Sequence, residues 1–290
     1  MRDRLTTLAL LAPALAVVTA CGTVPMAFVF YYSTHDTFGG NIFVWVGLQW
    51  YREVFAAPEF HAALARSLGF AALSLAIQIP LGVLVALRMP RRGLLASALV
   101  IAIAIPLLTP SIVVGYLWKV MTLPQAGLLH EGLAALGIGL DMNDPVAVWA
   151  VLALMDAWHW TGLVVLLCHA ALGAIPDDHY RAARIDGASG LAVFRYVQLP
   201  RLRHVLLIAV LLRFMDSFII YTETYVVTRG GPGVSTTFLS HELVQTALIQ
   251  FDLGEGGAMS AIYFAIVLCV AWVFFRLTVP PKAHRAKAGA

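Results

Sequence analysis

Charge is what this sequence has least of. Asp, Glu, Lys and Arg make up 12% of the 290 residues, about half of what a water-soluble domain carries. With hydrophobic residues at 60%, that shortage excludes an ordinary soluble globule and indicates a chain that crosses a membrane several times. Lysine is scarcer still: Lys119, Lys282 and Lys287 are the only ones, and no Gly-x-x-x-x-Gly-Lys-Ser/Thr loop occurs. A chain without that phosphate cradle does not bind ATP in the P-loop manner. The three cysteines, Cys21, Cys168 and Cys269, sit singly inside apolar runs, which excludes a disulfide framework or a thiolate metal site. There is no His pair at helical spacing with an accompanying Glu, no Cys-x-x-Cys and no Gly-x-Ser-x-Gly, so neither a metal centre nor a catalytic cluster is expected. A net charge of only +3 suggests no nucleic-acid partner.

What is present is apolar length. A bilayer core of about 30 Å takes roughly 20 residues of helix, and six runs qualify: about Leu5–Tyr32, Leu68–Leu87, Leu94–Trp118, Val146–Leu172, His204–Val227 and Ala258–Leu277. The fold class expected is therefore all-α, a six-helix polytopic bundle. Pro13, Pro25, Pro80, Pro106 and Pro110 lie in or near these runs and are tolerated where neighbours satisfy the freed carbonyls. The basic residues alternate in sidedness. Arg2 and Arg4, Arg88 to Arg92, Arg181 to Arg203, and Arg276 with the basic tail 280–290 hold fourteen of the nineteen. The intervening loops carry Asp36, Glu53, Glu59, Glu131, Asp141, Asp144, Glu242, Asp252 and Glu255. The positive-inside rule then places both termini in the cytoplasm. Val18-Thr19-Ala20-Cys21 has the form of a lipoprotein cleavage site, but apolar sequence continues through Tyr32, far beyond a signal-peptide core.

The segment 173–203 is polar in a chain otherwise built for lipid. Ile175-Pro176-Asp177-Asp178 reads as a helix start, with carboxylates at the positive end of the dipole. Ala182, Ala183, Ile185 and Ala188 give a small apolar surface, Asp186-Gly187 a turn, and Leu191–Gln198 a second short helix ended by Leu199-Pro200. Two short helices on the inner face suit docking into a groove; a basic loop lying on anionic headgroups is the plainer reading. The pattern Arg181-Ala182-Ala183-x-x-Asp186-Gly187-Ala188 closing at Leu199-Pro200 closely resembles the cytoplasmic coupling loop of type I ABC importer permeases. The likeness extends over about residues 60–279, including Gly230-Gly231-Pro232 beyond the fifth run. Arg181 stands where that family usually has Glu. The resemblance implies a single permease domain, 1–290, in a bacterial inner membrane, with 177–199 as its coupling loop. It implies a second homologous permease and two ATPase subunits that use ATP and magnesium, while this chain binds no cofactor of its own. A periplasmic or lipid-anchored solute-binding protein would meet Gly230, Gly231 and Pro232.

Ionisable groups at membrane depth are costly and mark functional positions. The fourth run carries Asp156, Trp158, His159 and Trp160; the fifth carries Arg213, Asp216, Tyr221 and Glu223. Arg213 and Asp216 are three apart, as are Asp156 and His159, so each pair shares a helix face. They can act as interhelical glue. Alternatively Asp156, Trp158, His159, Trp160, Asp216, Tyr221 and Glu223 line a cavity and bind a polyhydroxylated solute, carboxylates accepting from hydroxyls and indoles packing on its C–H faces. The runs 155–160 and 213–223 look like those of glycerol and sugar-alcohol importers, so glycerol or another small polyol is the expected solute. A disaccharide or glycerol 3-phosphate is the alternative, and an ion-coupled secondary transporter would need nested repeats that the chain lacks.

Overall fold

The computed structural model describes residues 2–38 and 42–278; the basic tail 280–290 lies outside them. Thirteen helices and one hairpin follow in order: α1 Arg2–Tyr32, β1 His35–Phe38, β2 Ile42–Trp45, α2 Gln49–Ala56, α3 Pro58–Arg88, α4 Leu94–Leu107, α5 Ser111–Met121, α6 Leu128–Ala135, α7 Pro145–Gly173, α8 Asp177–Ile185, α9 Gly190–Val193, α10 Leu199–Phe218, α11 Thr222–Thr228, α12 Leu239–Val244 and α13 Leu253–Thr278. Two compact units contain them, one formed by 1–62 with 242–268 and the other by 63–241 with 269–290.

In the first unit, α1 is apolar on every side and buries none of its span within the chain, as a lipid-facing helix does. The chain is helical as expected, with one short addition: β1 and β2 form an antiparallel hairpin, His35 opposite Trp45. It is tied down by Trp50 Nε1 donating to the His35 carbonyl at 3.1 Å and Leu253 N–H donating to Thr37 Oγ1 at 3.1 Å.

The second unit is organised around α7. Asp144 caps it by accepting from Val146 and Ala147, with Pro145 at the first turn. Its first half packs Val148, Val151, Leu152 and Met155 into a core with Phe70, Val114 and Phe238. Its second half packs Val164, Val165, Cys168 and Leu172 into another with Ala86, Ile175 and Leu202. Between these two dry cores, Asp156, His159 and Thr161 are buried. One helix thus carries apolar, polar and apolar layers in succession along about 40 Å.

Among the described residues, four helices are long and apolar enough to cross a membrane, and up to six spans result when each bent pair is taken as one. The third expected span is two helices, α4 and α5, meeting at 87°. Pro110 disfavours helix at Thr109 and starts α5 anew with ψ 137° at its cap, whereas Pro106 is accommodated inside α4. The fifth is α10 and α11, bent by 44° across Ile219–Tyr221, where Ser240 Oγ donates to the freed Ile220 carbonyl at 2.6 Å.

Leu199-Pro200, expected to end the second short helix and launch the fifth span, does not interrupt the helix. Helix runs through it, because residues Phe194–Gln198 form a π-helical turn in which Leu199 N–H reaches back to the Phe194 carbonyl. The wider turn shifts the bonding register, so the hydrogen that Pro200 lacks is not missed.

Candidate translocation site and coupling surface

The polar layer is knit by Arg213, whose side chain is 1% exposed. Its Nε donates to Gln78 Oε1 at 2.6 Å. Its Nη2 donates to both Asp156 oxygens at 3.1 and 3.0 Å and to Ser217 Oγ at 2.8 Å. Nη1 donates to Asp216. Gln78 closes the ring by donating from Nε2 to Asp156 Oδ2 at 2.6 Å, and the guanidinium carbon lies 4.8 Å over the Trp160 ring. A charge at this depth is tolerable only when so completely partnered. Asp216 differs from Asp156: its side chain is 43% exposed, leaving a carboxylate edge open. The Trp160 Nε1 hydrogen is buried and has no partner.

The remaining expected solute residues separate. His159 is buried and bonds the Thr109 carbonyl through Nε2 at 3.1 Å, while its Nδ1 lies 3.9 Å from the buried Glu223. Trp158 points elsewhere, into an open apolar groove of about 390 Å³ with Leu81, Val85, Ile103 and Pro106. Tyr221 stands in the break before α11, stacked on Tyr225 at 5.2 Å and against His241 at 5.0 Å. Gln78 and Ser217 are the members that sequence reasoning missed. Neither is ionisable, and their only signal is a polar atom inside an apolar run.

The segment 177–199, the expected coupling loop, is built as two faces. α8 ends in a paired closure in which Ala188 N–H bonds the Ala183 carbonyl and Gly187 N–H bonds the Arg184 carbonyl. Gly187 at φ +66° supplies the left-handed residue this ending requires. Ser189 then caps α9 through the Ala192 N–H. Tyr180 packs inward against the second core, its ring covered by Arg91 at 4.0 Å, and Ala183 is buried with it. The alanine pair therefore does not act as one surface: Ala183 roots the helix, and Ala182 faces out beside Ile185, which is 86% exposed. Leu191 and Tyr196 are similarly exposed. Arg181 spends its charge on Asp178 of its own helix at 3.4 Å.

The segment after α11 is closed on itself. Thr236 Oγ1 donates to the Gly231 carbonyl at 2.8 Å, and the Arg66 Nε and Trp149 Nε1 bonds to Thr237 and Ser235 carbonyls anchor it. Gly231-Pro232 is a cis bond. Of the three residues expected to meet a binding protein, Gly230 is buried, since its Cα faces Thr237 Oγ1 so closely that a Cβ would lie 2.8 Å away. The exposed tip is Gly233 and Val234.

A family described as "Binding-protein-dependent transport system inner membrane component" matches residues 78–279. The chain belongs to this family. It is a membrane-spanning permease component, without an ATPase site of its own. Over 278 residues it is 32% identical to the trehalose/maltose transport system permease protein MalF of Thermococcus litoralis, covering 92% of both chains. It is 30% identical to the trehalose transport system permease protein SugA of Mycobacterium tuberculosis, covering 96% of this chain and 90% of the other. Its fold matches a chain of a bacterial ABC transporter for the import of the acidic polysaccharide alginate with a TM-score of 0.80 and 18% identity, covering 96% of each. The same fold occurs in that transporter's complex with an alginate pentasaccharide-bound periplasmic protein, TM-score 0.78.

Proposed function

We propose that this permease passes a neutral sugar of disaccharide class, trehalose or maltose, across a bacterial inner membrane. The observation that carries this reading is the state of Arg213: each of its three nitrogens is engaged by Gln78, Asp156, Asp216 or Ser217. No guanidinium edge remains for a phosphate or uronate, so glycerol 3-phosphate and acidic sugars are disfavoured. The open edge of Asp216 accepts from sugar hydroxyls. The names of the relatives above favour a disaccharide over the glycerol expected from the sequence.

In this reading the chain pairs with a homologous permease, and two ATPase subunits grip the exposed side of α8 and α9 through Ala182, Ile185 and Leu191. With the termini cytoplasmic, as the basic residues indicate, a solute-binding protein docks on the far side over the 230–234 tip. Closure of the ATPases on nucleotide draws the coupling segments together and rocks the bundles about the polar layer. The chain itself moves no bond.

Uptake of labelled trehalose into proteoliposomes holding both permeases, both ATPases and the binding protein tests this. Accumulation that requires ATP and ignores protonophores is expected. Uptake by this chain alone on an ion gradient would refute the reading, and transport of glycerol in preference to trehalose would return the solute to a small polyol.

A further inference from the structure

One imidazole lies against both broken spans, at a freed carbonyl of the first and at a carboxyl side chain of the second. His159 Nε2 lies 3.1 Å from the Thr109 carbonyl at the α4–α5 break. A carbonyl only accepts, so Nε2 carries the hydrogen; that fixes the tautomer and leaves Nδ1 of the neutral ring a bare lone pair. Nδ1 is buried, has no hydrogen-bond partner and faces Glu223 Oε1 at 3.9 Å, in the first turn of α11 after the second break. Both side chains are less than a tenth exposed. Two acceptors facing one another in a dry gap repel unless one hydrogen stands between them.

The two short helices beyond the breaks also lie backbone to backbone. A Cβ at Gly115 of α5 would sit 3.0 Å from the Cα and carbonyl oxygen of Glu223 and 2.9 Å from Val226 Cβ. α5 and α11 are therefore packed backbone to backbone, and His159 of α7 reaches the Thr109 carbonyl just before α5 and the Glu223 side chain in the first turn of α11.

We propose that His159 and Glu223 hold one hydrogen between them, and that this shared hydrogen positions the α5–α11 pair against α7. His159 is thus a positioning residue and not a solute contact. The charged groups facing the ring are Asp156 of its own helix and Asp216 and Arg213 of α10, with Glu223 of α11. Arg213 is already committed to both aspartates, so Glu223 is the carboxylate left to share with the imidazole. When the hydrogen is lost at higher pH, the two acceptors separate and both short helices loosen together. The identity of the solute does not enter the argument.

Hydrogen exchange on the assembled complex in lipid nanodiscs, corrected for intrinsic rates, tests this without any solute. In the wild type, protection of 111–121 and 222–228 is expected to fall together by about fivefold as pH rises. In Glu223→Gln the amide supplies the hydrogen permanently, so protection relative to wild type holds at high pH. In Glu223→Leu it is low throughout. Identical pH profiles for wild type and Glu223→Gln, or loosening of α11 without α5, would overturn the proposal. Histidine-labelled NMR of the wild-type complex gives an answer that needs no variant: the hydrogen on His159 Nε2 should persist while the Nδ1 signal titrates. A neutral ring carrying its hydrogen on Nδ1 would also overturn it.

Discussion

The polar layer around Arg213 and the coupling segment around α8 invert each other. At the depth of the membrane, charge is drawn inside the protein and partnered almost completely. On the face that the charge pattern assigns to the cytoplasm, apolar side chains stand outside without cover from this chain. Each arrangement is costly when considered alone, and each makes sense by what surrounds it. Lipid offers no partner to a guanidinium, so Gln78, Asp156, Asp216 and Ser217 provide them. Water offers nothing to Ile185, and under the proposed function an ATPase subunit covers it.

The largest effect expected from breaking this contrast is at its charged end. Arg213→Met leaves Asp156 buried and ionised without its cation, a loss of about 3–5 kcal/mol. Thermal unfolding of the purified complex should register it, and the double variant with Asp156→Asn should recover most of it. His241 offers a second way to probe a buried polar group, this one in α12, outside the spans. Both its nitrogens lack partners, and burial holds its ring down to about 4, against an ordinary 6.5. The folded protein keeps this ring neutral while the unfolded chain protonates it. Stability is therefore fully present above pH 6.5 and declines as pH falls toward 4, by up to about 3 kcal/mol. Melting curves over that window should flatten in His241→Phe.

At the apolar end, Ile185→Glu should weaken capture of the ATPase subunits about tenfold or more, roughly 1–2 kcal/mol, with assembly in the membrane unchanged. Co-purification measures it. The same experiment separates the alanine pair: Ala182→Arg should lose the ATPase, whereas Ala183→Arg should fail to fold because its side chain points into the core. The smallest effect is expected at Asp216→Asn, which keeps an acceptor at the open edge. Trehalose-stimulated ATPase should need about fivefold more sugar, near 1 kcal/mol, with little change in melting temperature.

Much of this was legible in the chain. Apolar length and alternating basic residues gave the spans, and Asp156, Asp216 and Arg213 announced themselves as charges where charge is costly. Less legible was everything whose signal is geometric. Gln78 reads as one amide in an apolar run, yet it bridges Arg213 and Asp156. Pro110 read as one more proline that a membrane span tolerates, yet it stands where the span turns by 87°. The break at Ile219–Tyr221 has neither proline nor glycine, and it depends on Ser240, twenty residues onward in sequence, to receive it. Phe43 and Trp45 were invisible as strand because their partner is a short polar segment following a membrane helix. Ala182 and Ala183 look equivalent in sequence, and only helical phase separates root from surface.

The π-helical turn at Phe194–Gln198 has a mechanical consequence. Without it, Pro200 would have made a loose joint between the docking segment and the bundle. With it, Gly190–Phe218 is one unbroken helix, a stiff lever about 43 Å long, with Ser189 at one end and Arg213 near the other. Any displacement at the Ser189 end arrives at the charged layer with no joint to absorb it.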